Sequence, residues 1–364
     1  MKRVLLYCIA ALLPMFSLAQ TLPLRAGFDA GEYAELMYIS ARTGALSPDY
    51  YKHIPKPATH QLVYRSAPVG LDNLWELWGG PQQSAVISLR GTTAAALSWL
   101  ANFYAGMVPA NGSVQVSDSF RFDYRLAQHP RATVHVGWLL SLGFLSREIL
   151  PRLDSCYRAG VRDLSIIGHS QGGALTYLLT AQLRMMQQSG AFAGMRIKSY
   201  ASAGPKPGNL YFAYDYENLT RGGWAFNVVN AADWVPETPV SIQTIRDFNK
   251  TNPFAGAGSV IRKQKVPVRW ALAHAYRRLD KSTRKAEKIY RRYLARTAGK
   301  IVRKSLQSFR TPVYETGMDY TRAGNYVVLM PDSAYYRRFP DSDTAVFVHH
   351  LHAPYLYLLS RYRP

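Results

Sequence analysis

Near the middle of the chain, Gly168-His169-Ser170-Gln171-Gly172 has the spacing G-x-S-x-G. A serine between two glycines is a nucleophile where the backbone turns sharply out of a strand and into a helix. Elsewhere the same residues are only a small-residue turn. The flanks supply the required context. Leu164 to Ile167 is a short apolar run of the kind a buried strand needs, and Ala174 to Met186 contains no Gly or Pro and reads as a helix. Strand, turn and helix in that order raise the Ser170 hydroxyl above a sheet edge and aim the free amides of the helix N-terminus at a reacting carbonyl.

A serine hydroxyl needs a base, and the base needs an acid to hold its tautomer. In the chain order serine, acid, histidine, Asp233 follows the apolar run Phe226 to Asn230, where a strand end would put it beside Ser170. Its bland reading is a loop or capping carboxylate. His349, His350 and His352 lie in the closing segment, ahead of a helix expected from Pro354. An oxyanion needs two amides. Arg90-Gly91-Thr92 follows the apolar run Ser84 to Leu89, so the Thr92 amide can pair with that of Gln171.

The elements that must position these groups alternate. Helical spacing runs over Phe28 to Ser40, with Asp29 as its cap, over Thr133 to Leu153, ending near Pro151, and from Ala174 onward. Strand-like runs occur at 61–65, 74–78, 84–89, 164–167, 197–201, 225–230 and 325–330. Alternating strands and helices predict an α/β fold, a mostly parallel sheet covered by helices, with the site beyond the carboxyl ends of the strands.

At 364 residues, 48% hydrophobic and 18% charged, the chain has ample material for a folded core. The opening MKRVLLYCIAALLPMFSLAQ has two basic residues, an apolar run and the trio Ser17-Leu18-Ala19, the pattern of a secretory signal peptide over residues 1–19. Periplasmic or secreted localisation is the expectation, with 20–364 as the mature domain. Cys8 would leave with the leader. Cys156 then stands alone and can form no internal disulfide, and its expected place is the core. No C-x-x-C or H-E-x-x-H spacing occurs, so neither a metal nor a cofactor is expected.

Net charge is +21, and most of the excess is local: between Arg262 and Arg310 lie 17 Lys or Arg against only Asp280 and Glu287. Residues 241–324 depart from the strand and helix rhythm, opening on the Gly-rich NKTNPFAGAGSV and continuing as a long basic helical pattern interleaved with Trp, Tyr and Leu. This predicts one or two amphipathic helices inserted into the sheet domain. A solvated helical face is the bland reading. Attachment to an anionic membrane surface through 262–310 is the functional one, and nucleic acid is not expected because no recognition motif accompanies the charge.

Five stretches together resemble the class 3, fungal-type lipases of the α/β-hydrolase fold: Leu89 to Thr92, His135 to Trp138, Gly168 to Ala174, Ser202 to Asn209 and Asn230 to Pro236. The resemblance covers roughly 60–240 and 325–360. It implies Ser170 as nucleophile, Asp233 as acid, Thr92 and Gln171 as oxyanion donors, and a lipid or ester as substrate. Gln171 stands where the family usually has leucine, which spares a backbone donor. For the histidine, one family spacing selects His350 and a shorter one His352, with His350 preferred. The family also suggests a mobile cover, for which Leu97 to Val108 is apolar enough and Gly106 a candidate hinge. The reading from another class is a catalytically idle hydrolase fold that binds lipid surfaces or the envelope through its basic helices.

Overall fold

In the computed structural model, which describes residues 23–44 and 48–363, seven strands pair in chain order. They are β1 (Gln61–Arg65), β2 (Trp75–Gly79), β3 (Ser84–Leu89), β4 (Asp163–His169), β5 (Arg196–Ser202), β6 (Ala225–Asn230) and β7 (Asn325–Leu329). The first two pairings are antiparallel, and β3 through β7 are parallel. The leader expected over 1–19 lies outside the described residues.

Parallel strands need crossovers, and the crossover helices cover the sheet. The helices in chain order are α1 (Ala30–Thr43), α2 (Ala96–Phe103), α3 (Val136–Arg158), α4 (Gln171–Gln188), α5 (Leu210–Leu219), α6 (Ala257–Arg262), α7 (Val266–Tyr290), α8 (Ala298–Ser305) and α9 (His352–Leu359), with short turns at Pro48–Tyr51 and Ser333–Arg338. Ile87 and Ile166 pack with α3, α4 and α5 on one face, while Val86 and Ile167 pack with α1 and α9 on the other. Because side chains alternate along a strand, the consecutive apolar pairs Val86-Ile87 of β3 and Ile166-Ile167 of β4 serve both cores. Asp29 caps α1, its Oδ1 accepting from the Glu32 amide at 2.8 Å. Sheet and helices together form the expected α/β fold, a mostly parallel sheet covered by helices on both faces.

The helix predicted over Thr133 to Leu153 is shifted. Thr133–His135 is a short strand paired with Met107–Pro109, and α3 begins at Val136 with the His135 ring accepting from the Trp138 amide. It also continues through Pro151 to Arg158. Pro151 lies on the exposed side, where one missing hydrogen bond is tolerated, while buried Ile149 and Leu153 hold the helix to the core. The Gly-rich start of the basic segment is not all loop, since α6 occupies Ala257–Arg262. After α7 the chain passes through a π-helical stretch, Arg291–Thr297, into α8.

Candidate active site

Ser170 follows β4 directly, Asp233 lies three residues past β6, Thr92 three past β3, and the loop before α9 carries His350. All four groups therefore converge on the carboxyl edge of the parallel sheet, where α/β folds place their ligands. Ser170 has φ +62° and ψ −129°, a backbone that L-residues rarely adopt. It is held there by its neighbours. The Ser170 amide donates to Ser202 O at 3.0 Å, and its carbonyl accepts from Gly173 N at 2.8 Å. A Cβ on Gly168 would stand 2.1 Å from Gly172 O, and one on Gly172 would stand 2.2 Å from Leu89 O. Only glycine allows β3, β4 and α4 to approach so closely, which is the physical content of the G-x-S-x-G spacing.

His350 Nδ1 lies 2.7 Å from Asp233 Oδ2. The carboxylate is buried and has further donors: Tyr355 Oη donates to Oδ2 at 2.7 Å, and the Val235 amide donates to Oδ1 at 3.0 Å. An ionised carboxylate only accepts, so Nδ1 carries the proton and Nε2 is left as a lone-pair acceptor. His350 Nε2 is buried without a hydrogen-bond partner, and His350 and Ser170 line the same cavity. No hydrogen bond joins this nitrogen to the serine.

The two neighbouring histidines do other things. His352 Nδ1 pairs with Tyr50 Oη at 2.9 Å and Nε2 with Ser40 Oγ at 3.3 Å, while burial, aided by nearby His350, pushes its pKa down to about 3. His349 lies between Tyr335 Oη at 2.8 Å and Asp341 Oδ1 at 2.9 Å. The acid and the expected histidine are thus brought together for His350 and not for His352. His169, the residue before the serine, packs between the two loops. Its Nδ1 accepts from Ser202 Oγ at 2.9 Å and its Nε2 donates to the His350 carbonyl at 2.5 Å. Burial, followed by the neighbouring His352 and His350, holds its pKa well below the ordinary histidine value, so it ties the His350 loop to the elbow as a neutral ring.

Gln171 opens α4, which leaves its amide without an intrahelical acceptor. Its side chain has a function of its own. Thr92 Oγ1 donates to Gln171 Oε1 at 3.1 Å, Ser98 Oγ donates to the same oxygen at 3.3 Å, and Asn102 Nδ2 donates to Thr92 Oγ1 at 2.8 Å. Through these bonds Gln171 fastens the Thr92 loop to α2. The other edge of that loop is braced by Asp72, whose carboxylate accepts from Arg90 at 2.8 Å and from Thr93 Oγ1 at 2.5 Å. Sequence reasoning missed Asp72, Ser98, Asn102 and Tyr355 as supports. Their partners lie 10 to 122 residues away, beyond any local periodicity.

A cavity of about 720 Å³ opens over Ser170, with Trp99, Phe103, Trp234, Val240, Leu294 and Phe347 among its apolar walls. Of the stretch Leu97 to Val108 expected as a cover, α2 contributes Trp99 and Phe103 to the wall. The remainder is fixed: Met107–Pro109 is in a strand pair, and a Cβ on Gly106 would lie 2.5 Å from Ala295 Cβ, so Gly106 serves close packing instead of a hinge. Cys156 is half-buried on α3, and burial pushes its thiol pKa up, which disfavours the nucleophilic thiolate. Among the described residues no group of three or more His, Cys, Asp or Glu is placed to hold a metal.

Residues 86–242 match the family model described as lipase (class 3). No curated protein sequence matches. Solved structures with a similar chain path include a fungal lipase bound to an inhibitor (21% identity, 59% of this chain and 77% of that one, TM-score 0.43). Lipase II from Rhizopus niveus (21%, 58% and 74%, TM-score 0.41) and Lip2 lipase from Yarrowia lipolytica (18%, 60% and 79%, TM-score 0.43) are also among them. The matched segment holds Thr92, Ser170, Gln171 and Asp233, and over residues 86–242 the chain is similar to the class 3 lipases.

Proposed function

We propose that the protein is an exported serine hydrolase that cleaves carboxylic esters of lipids through Ser170, His350 and Asp233. The observation that carries this is the 2.7 Å contact of His350 Nδ1 with buried Asp233, which leaves Nε2 unpartnered in a residue that lines the same cavity as the strained Ser170. His350 Nε2 takes the Ser170 proton as Oγ bonds to the ester carbonyl carbon. The negative charge on the carbonyl oxygen is held by the Thr92 and Gln171 amides. Collapse breaks the ester C–O bond, the alcohol leaves with the proton from His350, and an acyl-serine remains. Water, deprotonated by the same nitrogen, then attacks the acyl carbon and releases the acid, and the proton returns to Ser170.

The apolar walls of the cavity favour an acyl chain as the bound part of the substrate. Export rests on the leader-like residues 1–19 alone. Turnover of short and long p-nitrophenyl esters beside a triacylglycerol emulsion and a phospholipid tests the reading and selects the substrate class. Activity that vanishes in Ser170→Ala is expected. A folded wild type inert on all of them would return the chain to a lipid-binding module without catalysis.

A further inference from the structure

Helix α7 is built inside out. The positions it turns toward the protein, Ala273, Tyr276, Asp280, Thr283 and Glu287, recur every three or four residues and are partly or fully buried. Its large apolar residues Val268, Trp270, Leu272 and Leu279 are exposed instead, Trp270 at 70% and Leu279 at 69%. Beside them stand exposed Arg277, Arg278, Lys281, Lys285 and Lys288. A solvated helix normally hides its Trp and Leu, and a purely electrostatic arm has no need of them. Large apolar residues interleaved with Lys and Arg match the interfacial zone of a bilayer, with anionic headgroups outside and acyl chains beneath. A second copy of the chain would bring the same positive field against this one. No helix among the described residues is long and apolar enough to cross a membrane, so the match is to the surface.

The root of the arm is fixed in the protein. Beyond α7, Ala295 packs on Gly106, and the Tyr314 hydroxyl joins Tyr104 Oη at 2.7 Å and donates to Ala295 O at 3.2 Å. Tyr290 and Leu294, at the end of α7 and in the π-helical stretch, line the 720 Å³ cavity. Such stretches inside helices recur at functional sites. Exposed Phe103, Trp234 and Val240 on other segments add an apolar rim to the same cavity.

We infer that α7 and its flanking basic residues dock the protein on an anionic lipid bilayer, and that Tyr290 and Leu294 make the docking element part of the wall of the lipid-binding cavity. The second clause rests on the hydrolase reading; docking does not. Binding is therefore measured without turnover, by sedimenting the full chain carrying Ser170→Ala with vesicles of phosphatidylglycerol and phosphatidylcholine, and with phosphatidylcholine alone, at low salt. Anionic vesicles should bind at least ~tenfold more protein, and Arg277→Glu/Arg278→Glu/Lys281→Glu should abolish that preference. Leu279→Ser should weaken binding severalfold. In the Ser170 background, the triple variant should keep its thermal midpoint and its rate on a soluble short-chain ester while losing rate on ester presented in anionic vesicles. Equal binding to both vesicles, or wild-type binding by the triple variant, overturns docking. So does preference for duplex DNA at matched charge. Anionic binding with equal loss on soluble and vesicle ester keeps docking and overturns the link to the cavity.

Discussion

The carboxyl edge of the sheet and the basic arm occupy opposite extremes of the same chain. Around Ser170 the backbones of β3, β4 and α4 meet at distances that admit no Cβ, and Asp233, His169 and Thr92 are each engaged by specific donors or acceptors. Along α7 the large side chains face solvent, and the ion pairs on the helix, Arg284 with Asp280 and Arg291 with Glu287, are four residues apart. Strain such as the Ser170 backbone survives only where packing over-determines it. An arm that meets a partner elsewhere can leave its apolar residues uncovered, provided charge keeps it soluble.

The largest expected contrast is chemical. Asp233→Asn should lower kcat on a soluble ester by about 10⁴-fold with little change in KM, because His350 then loses the acceptor that sets its tautomer. Neutralising Asp280 on the arm should leave that kcat within about twofold. Next comes packing. Gly172→Ala puts a Cβ 2.2 Å from Leu89 O and should cost about 3 kcal/mol or more, read as a fall in thermal midpoint. Gly258→Ala, with nothing nearer than 3.6 Å, should be neutral or stabilising by up to about 1 kcal/mol.

A third test lies at the root of the arm. Burial, then the neighbouring Asp247, pushes the pKa of Asp319 up to about 6. The folded state thus holds its proton more tightly than the unfolded chain, so the stability it contributes is complete below pH 4 and is lost as pH rises through about 6. Asp319→Asn should match wild type near pH 4 and exceed it above pH 7 by on the order of 2 kcal/mol in denaturant titrations. The smallest effect is Gln171→Leu. The oxyanion amide stays, the bond to Thr92 Oγ1 goes, and kcat should fall about tenfold or less. Since Gln171 Nε2 is buried without a partner, stability should hold or rise.

What was legible in the sequence follows the same contrast. The elbow could be read because a sharp turn between a buried strand and a helix restricts residue types at consecutive positions. Strands β3, β4 and β6 could be read because burial on both faces favours short apolar runs there, while β7, exposed at Tyr326 and Val328, showed itself by its β-branched residues. The boundary of α3 was misread because Thr133–His135 pairs with Met107–Pro109, far outside the local window, and Pro151 falls on a solvent-facing turn, and neither leaves a local trace. The choice between His350 and His352 lay outside local spacing, since it turns on contacts with Asp233, Tyr50 and Ser40. The side chain of Gln171 made sense only when Ser98 and Asn102 of α2 came into place.

The central claim is that Ser170, activated by His350, is the nucleophile. It is tested most directly by the rate of fluorophosphonate labelling in wild type, His350→Ala and His352→Ala, with the adduct mapped by mass spectrometry. The account predicts an adduct on Ser170 in wild type, a rate in His352→Ala within about tenfold of it, and a rate in His350→Ala lower by about 10³-fold or more. An adduct on another residue, or undiminished labelling in His350→Ala, would contradict it.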